Sequence, residues 1–329
     1  MTHVCIRWSL AIGVTMLWAG ATARACQIPV FRYALERWEA APYEVVIFHR
    51  GALAGEHKAA ADAIAAASSD AKGHANLQVR RVDLDKPLDK PTESLWKEQK
   101  NATTPWMVVL YPDSQPDTIP VHAGPLSAES ADRVANSPAR RQIAQRILKG
   151  ESAVWVLIEG GAREADDAAE KMLAAELKKL EKSLQLPDLN APEGPRLWSN
   201  LPVKLAFSTI RVSRNDPAEA VFVQQFVNSD KDAAAAKGPM VFAVFGQGRA
   251  IGPLTGQDLS PKVVGQAAEF LVGECSCQVK EQNPGFDLLM SAPWASILND
   301  VDGPVVAPSG IKPPATAPTT RPAARDPTP

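Results

Sequence analysis

The chain has 329 residues, 45% hydrophobic and 22% charged, with 35 basic against 37 acidic side chains and a net charge of −2. That composition belongs to a soluble globular protein with room for two ordinary domains. With no basic stripe interleaved with aromatics, it also speaks against a nucleic-acid partner.

The first 25 residues read as a secretory signal peptide. Arg7 precedes an apolar stretch from Trp8 to Trp18, and Ala23-Arg24-Ala25 places small residues where a signal peptidase reads. The apolar run is too short to span a bilayer, and no other segment is long enough. Removing 1–25 takes away two arginines and no acid, which leaves 33 bases against 37 acids. Cys5 leaves with the signal, so Cys26, Cys275 and Cys277 remain. An odd number in an exported chain calls for an explanation. A lipidated Cys26 would supply one, but a lipobox normally carries Leu where this chain has Ala23. Cleavage after Ala25 by the ordinary peptidase is expected instead, with an extracytoplasmic location, periplasmic or secreted.

Residues 26–42 form an N-terminal strap rich in aromatic and basic side chains. Phe31, Tyr33 and Trp38 with Arg32 and Arg37 would make either a recognition patch or, the reading preferred, a strap packed on the body. Residues 43–150 make a first domain. Its buried strand Tyr43–Phe48 is bounded by Pro42 and Gly51. An Ala-rich helix follows over Glu56–Ala67, then an alternating strand Leu77–Leu84 and a short helix Thr92–Lys100. Strands Pro105–Tyr111 and Thr118–His122 follow. A last helix, Ser137–Lys149, has Ser137 as cap, Pro138 at its first position and Gly150 as stop.

Residues 151–300 repeat this order. Val154–Ile158 is a strand, and Arg163–Leu186 a helix with Leu173, Leu177, Leu180 and Leu184 on one face. Then come strand Val203–Val212, helix Pro217–Val227, hairpin strands Met240–Phe245 and Ala250–Ile251, and helix Pro261–Val272. The segment from Gln278 to Trp294 holds an apolar patch that packs back on the body. Residues 301–329 are rich in Pro, Ala and Thr and are expected to be a disordered tail.

The repeat is visible in the letters. Ser137–Glu151 (SPARRQIAQRILKGE) and Ser260–Glu274 (SPKVVGQAAEFLVGE) align at an offset of 123, Gly124–Leu126 recurs as Gly252–Leu254, and Thr104-Pro105 recurs as Gly238-Pro239. This order of elements, with Pro105 and Pro239 before the third strand of each copy, resembles the thioredoxin fold. The resemblance implies two tandem thioredoxin-like α/β/α domains with cis-prolines at those two positions. Cys26-Gln-Ile-Pro-Val-Phe-Arg-Tyr-Ala-Leu-Glu-Arg-Trp38 further resembles the opening of an uncharacterised family of exported bacterial proteins, which implies export.

Thioredoxin-type catalysis needs Cys-x-x-Cys between the first strand and first helix, where the helix N-terminus favours a thiolate. At that position the first copy reads His49-Arg-Gly-Ala-Leu-Ala-Gly55 and the second Glu159-Gly-Gly-Ala-Arg163. Neither holds a cysteine, so both copies are redox-silent at the usual site. His49 reads as a loop residue after a strand. Gly246-Gln-Gly248 with Gly252 reads as a hairpin and not a phosphate loop, and Asn101-Ala-Thr103 matches a glycosylation sequon.

Cys275 and Cys277 are the candidates for chemistry. Two residues apart on one extended strand, they lie about 6.6–6.8 Å apart between Cα atoms, at the outer limit for a disulfide. Three readings stay open: a disulfide from Cys26 to Cys275 or Cys277, a redox or metal pair completed by Cys26 or a histidine, or small buried side chains. No catalytic residue and no cofactor is assigned. The expected role is a non-catalytic binding or scaffold module for another exported protein or a membrane-associated complex. The alternative is a thiol oxidoreductase or metal carrier using Cys275 and Cys277.

Overall fold

The computed structural model describes residues 26–68, 74–112, 119–189, 196–276 and 278–299, with only the backbone described at Cys26. The expected signal peptide, Cys277 and the 301–329 tail lie outside the described residues. The protein is mixed α/β, with a two-stranded ribbon, a four-stranded sheet and a five-stranded sheet.

The chain enters through β1 (Cys26–Pro29) and α1 (Val30–Arg37). The first unit runs β2 (Tyr43–His49), α2 (Gly55–Ala67), β3 (Leu77–Asp83), α3 (Lys90–Glu98), β4 (Trp106–Leu110), β5 (His122–Pro125) and α4 (Ala128–Ala135). After α5 (Pro138–Leu148), the second unit runs β6 (Ala153–Ile158), α6 (Arg163–Ser183), β7 (Phe207–Val212), α7 (Ala220–Val227), α8 (Lys231–Ala235), β8 (Met240–Phe245), β9 (Arg249–Thr255) and α9 (Pro261–Val272). β10 (Glu274–Cys275), β11 (Phe286–Asp287) and α10 (Trp294–Asn299) follow.

The two large sheets are built alike. The first has the order β3-β2-β4-β5 and the second β7-β6-β8-β9, with β11 added at the outer edge. In each, the first two strands are parallel and the other pairings antiparallel. The Thr104-Pro105 and Gly238-Pro239 positions correspond in register: Trp106 lies opposite Phe48, and Met240 opposite Ile158. The β-branched runs that read as buried strands are buried here because helices cover both faces of the second sheet. Alternate residues of β6 point to opposite cores, Val154, Val156 and Ile158 to one and Ala153, Trp155 and Leu157 to the other.

Three expectations change. The helix over 137–149 forms, but it does not close the first unit. Its apolar face (Ala139, Ile143, Ala144, Ile147) packs with β6, β8 and α7 in the core of the second. Glu219, just before α7, fastens it there, accepting from Ser137 Oγ and from Ala139 N at 2.7 Å. The helix that closes the first unit is α4, which packs on α2 as α9 packs on α6. The 123-residue offset therefore aligns helices of different places in the fold. The strand expected at 118–122 starts at His122 and runs to Pro125, so the Gly124–Leu126 triplet begins inside it. Finally, Thr104–Pro105 is a cis bond but Gly238–Pro239 is not; among the described residues a further cis bond is Gly252–Pro253. Pro239 arrives after α8 with Gly238 pressed against Gly160, where an added Cβ would meet it at 2.5 Å.

The apolar patch after residue 285 packs into the body as expected. Leu288, Leu289 and Met290 are fully buried between the units. Both units bind this seam through side chains. Tyr43 Oη donates to Asp287 O (2.7 Å), Asn76 Nδ2 to Leu288 O (3.1 Å), and Arg140 Nη1 to Leu289 O (3.0 Å). In return, Leu289 N donates to Gln225 Oε1 (2.5 Å) and Met290 N to Asn76 Oδ1 (2.6 Å). A buried extended segment between two sheets must find partners for its peptide groups; here these side chains supply them together with two backbone bonds, Leu288 N to Gly248 O (2.9 Å) and Asn76 N to Met290 O (3.1 Å).

Candidate functional site

The loop from the first strand to the first helix holds no sulfur in either unit. In the first unit, His49 Nδ1 lies 2.7 Å from Gly51 O, and Gly51 N donates to Asp83 Oδ1 at 3.2 Å. Asp83 also accepts from Asp85 N, and these backbone donors hold its carboxyl below the ordinary range. Gly51 and Gly55 both have positive φ, near 59° and 54°, a conformation that side-chain-bearing residues rarely adopt. In the second unit, buried Asp166 accepts from Gly160 N (2.7 Å) and Gly161 N (3.1 Å). These loop amides are thus occupied from within the chain. Beside them, Arg211 of β7 pairs with Glu159 (2.6 Å), Asp167 (2.6 Å) and Glu170 (2.8 Å). These hydrogen bonds lower the Asp167 carboxyl and raise the Arg211 guanidinium. The first unit has the same strand-to-helix tie, from Arg81 of β3 to Asp62 of α2 at 2.6 Å. Both loops are built as structure.

The strap is buried against the second unit. Phe31, Tyr33 and Trp38 join the core formed by Trp155, Leu173, Val264 and Leu271, so the exposed-patch alternative fails. Arg32 is 1% exposed. It donates to Glu36 Oε1 (2.9 Å), to Ser199 O and to Ser199 Oγ (both 2.8 Å). Burial lowers its pKa, and the Glu36 carboxylate opposes that. Glu36 in turn accepts from Trp198 N (2.8 Å) and Ser199 N (3.1 Å), so this ion pair fixes the 198–202 segment against α1.

Beside the strap lies an open cleft of about 1030 Å³, with Trp38, Trp198, Gln247, Val279, Lys280 and Trp294 among its walls. One wall leaves α1 and the other follows β10. They are tied across by Trp38 Nε1 donating to Gln278 O (3.0 Å) and Lys280 Nζ to Glu39 O (2.7 Å). Arg37 stacks between Tyr33 and Trp198, 4.6 and 4.4 Å from the ring centres. Among the described residues, three large apolar side chains are exposed: Ile119 (56%), Trp198 (43%) and Val279 (47%). Two of the three line this one cleft. A second cavity of about 360 Å³, between α4 and α5, is lined mainly by polar and charged side chains such as Asp132, Arg133 and Arg141.

Of the two cysteines near the end of the second unit, only Cys275 lies among the described residues. Cys275 ends β10, opposite Cys26 of β1 in an antiparallel ribbon that carries an irregularity before Pro29. Its side chain is buried. Among the described residues no group of His, Cys, Asp and Glu is placed to hold a metal ion, and no helix is long and apolar enough to cross a membrane.

No family model, no curated protein and no solved structure matches this chain.

Sequence reasoning singled out Trp38 and Arg37 but missed Trp198, Val279, Gln247 and Trp294. A Trp at position 198, in a Pro-rich connection between a helix and a strand, was the one available signal. Nothing local links it to Val279, which is 81 residues further on.

Proposed function

We propose that this is an exported, non-catalytic binding module built on two redox-silent thioredoxin-like units, and that its cleft takes an extended segment of another exported protein or membrane-associated complex. The shared strand order, with a parallel first pair and an antiparallel third and fourth strand, supports the fold reading. The loops that would carry a dithiol hold His49–Gly55 and Glu159–Arg163, whose polar groups are partnered within the chain. Reactive thiols sit in partly exposed, electropositive surroundings; the buried Cys275 side chain in an apolar core does not suit the oxidoreductase or metal-carrier alternative.

The observation that carries the binding reading is the convergence of exposed Trp198 and Val279 on one cleft floored by buried Trp38 and Trp294. Exposed apolar groups gathered in a concavity mark interaction sites, and aromatic residues dominate such contacts. The polar walls suit a peptide. Exposed Glu39 and Glu281 offer carboxylates and exposed Gln278 an amide for a ligand backbone, while Lys280 is held by Asp287 (2.7 Å) and Gln247 donates to Leu35 O (3.0 Å). A photo-crosslinking residue placed at 198 or 279 in the exporting cell tests this, with exposed Glu98 on the far unit as the control position. Both cleft positions should trap the same polypeptide, and position 98 should not. Adducts no different from those at 98, or disulfide turnover that depends on Cys275, would overturn the reading.

A further inference from the structure

We infer that the segment this cleft takes is basic and proline-rich, bound as a polyproline II helix and supplied by another exported chain. This ligand class rests on the binding reading above, since it is a property of the same cleft. The cations of the cleft are already spent. Arg37 donates to Glu36 Oε2 (3.0 Å) and to Arg196 O (2.8 Å), and Lys280 donates to Asp287 Oδ2 and Glu39 O (both 2.7 Å). Glu39 and Glu281 line the cleft from its two walls, are exposed and, among the described residues, join no ion pair. The charge left free is therefore negative. A ligand carrying Lys or Arg gains there, and an acidic one meets like charge.

The uncharged groups select the ligand backbone. Trp198 is fixed although its side chain is exposed: its backbone N donates to Glu36 Oε2 (2.8 Å), and the Arg37 guanidinium lies 4.4 Å from its ring centre. Its indole N–H has no partner among the described residues, and Gln278 adds an exposed side-chain amide to the same cleft. A polyproline II helix makes no internal hydrogen bonds, so its carbonyls are free, and each proline lacks the N–H that would need an acceptor. Such carbonyls can accept from Trp198 Nε1 and Gln278 Nε2 while the proline rings pack on the Trp198 indole and on exposed Val279. The helix is stiff before it binds and the ring it meets is held, so little freedom is lost on docking.

Fluorescence anisotropy of three labelled synthetic peptides, titrated with the full chain purified from an exporting host, tests this. One is a Pro-Pro-Ala repeat bearing two arginines, the next the same repeat bearing two glutamates, and the last a Gly-Ser repeat bearing two arginines. The first should bind about tenfold tighter than either of the others, and its affinity should fall as salt rises. Glu39→Gln combined with Glu281→Gln should weaken it about fivefold and remove most of the salt dependence. Trp198→Ala should weaken it about tenfold. Both variants change exposed side chains, and circular dichroism checks that the fold is kept. Equal binding of the three peptides, or an affinity unchanged in either variant, would overturn the inference. A photo-crosslinking residue at 198 in the purified chain alone that trapped residues 301–329 or a second copy would also overturn it, because the occupant would then be this chain. Where the cellular crosslinks at 198 and 279 trap one polypeptide but the basic proline peptide does not bind, only the ligand class falls. Where neither position traps a shared polypeptide, the binding reading itself falls.

Discussion

The two sheets share an order of strands but not a covering. The second sheet has α6 and α9 on one face and α5 and α7 on the other, and it also gathers the strap and β11. The first has α2 and α4 on one face; on the other, a small core of Val46, Phe48, Val82 and Val108 is topped by Leu95, Trp96 and Trp106, all partly exposed. A shared strand order thus does not make the two units equal. The second unit is the anchor, and the first is completed by the seam at Leu288–Met290. This explains why the cleft sits on the second unit: the strap that walls it belongs to that core.

The largest test of this inequality is a pair of core truncations. Phe226 sits among Phe222 (4.9 Å between ring centres), Phe242 (4.5 Å) and Phe286 (6.3 Å), whereas Phe48 lies in the small valine core against the partly exposed Trp96, its ring tilted at 5.0 Å. Phe226→Ala should cost about 5 kcal/mol and Phe48→Ala about 3 kcal/mol, the two ends of the range for such changes. Chemical denaturation of each variant measures this. Equal losses would mean the first unit is as well covered as the second.

The smaller test uses the charges that tie strand to helix. Asp167 is held below its ordinary pKa chiefly by hydrogen bonding to Arg211. In the window below the ordinary carboxylate value of 3.8 the folded chain therefore binds fewer protons at this site than the unfolded chain. The stability it contributes is present above that value and is lost as pH falls through the folded pKa. Arg211→Met should flatten the acid limb of the stability curve by a small amount, because the pair is exposed and screened. An unaltered acid limb would show that Arg211 does not set the titration of Asp167.

The comparison also shows what a sequence carries. Tyr43–His49 and Met240–Phe245 were legible because a β-branched, aromatic run bounded by Pro or Gly has few other uses. Helix α4 was not. Its eight residues are capped by Ser127 and Ser130 in a reciprocal box, with Ser where Glu or Gln is the usual signal. The Ser-Pro start of α5 was legible as a helix start, but its allegiance was not, because that is decided by which sheet meets Ile143 and Ile147. The absence of cysteine from the loops at 49–55 and 159–163 could be read directly. The cleft could not, since residues near 38, 198, 247, 279 and 294 meet only through packing of the strap, the second sheet and α10.

Strap and seam hold the two unequal units together as one body. This is tested most directly by hydrogen exchange across a urea series, following β2 and β4 of the first unit against β6 and β8 of the second. In the wild type both sets should lose protection at one midpoint, as a cooperative body requires. Asn76→Ala, which removes the seam bonds to Leu288 O and Met290 N, should lower the midpoint of β2 and β4 below that of β6 and β8. Two midpoints already separate in the wild type, or a single shared shift in Asn76→Ala, would contradict the account.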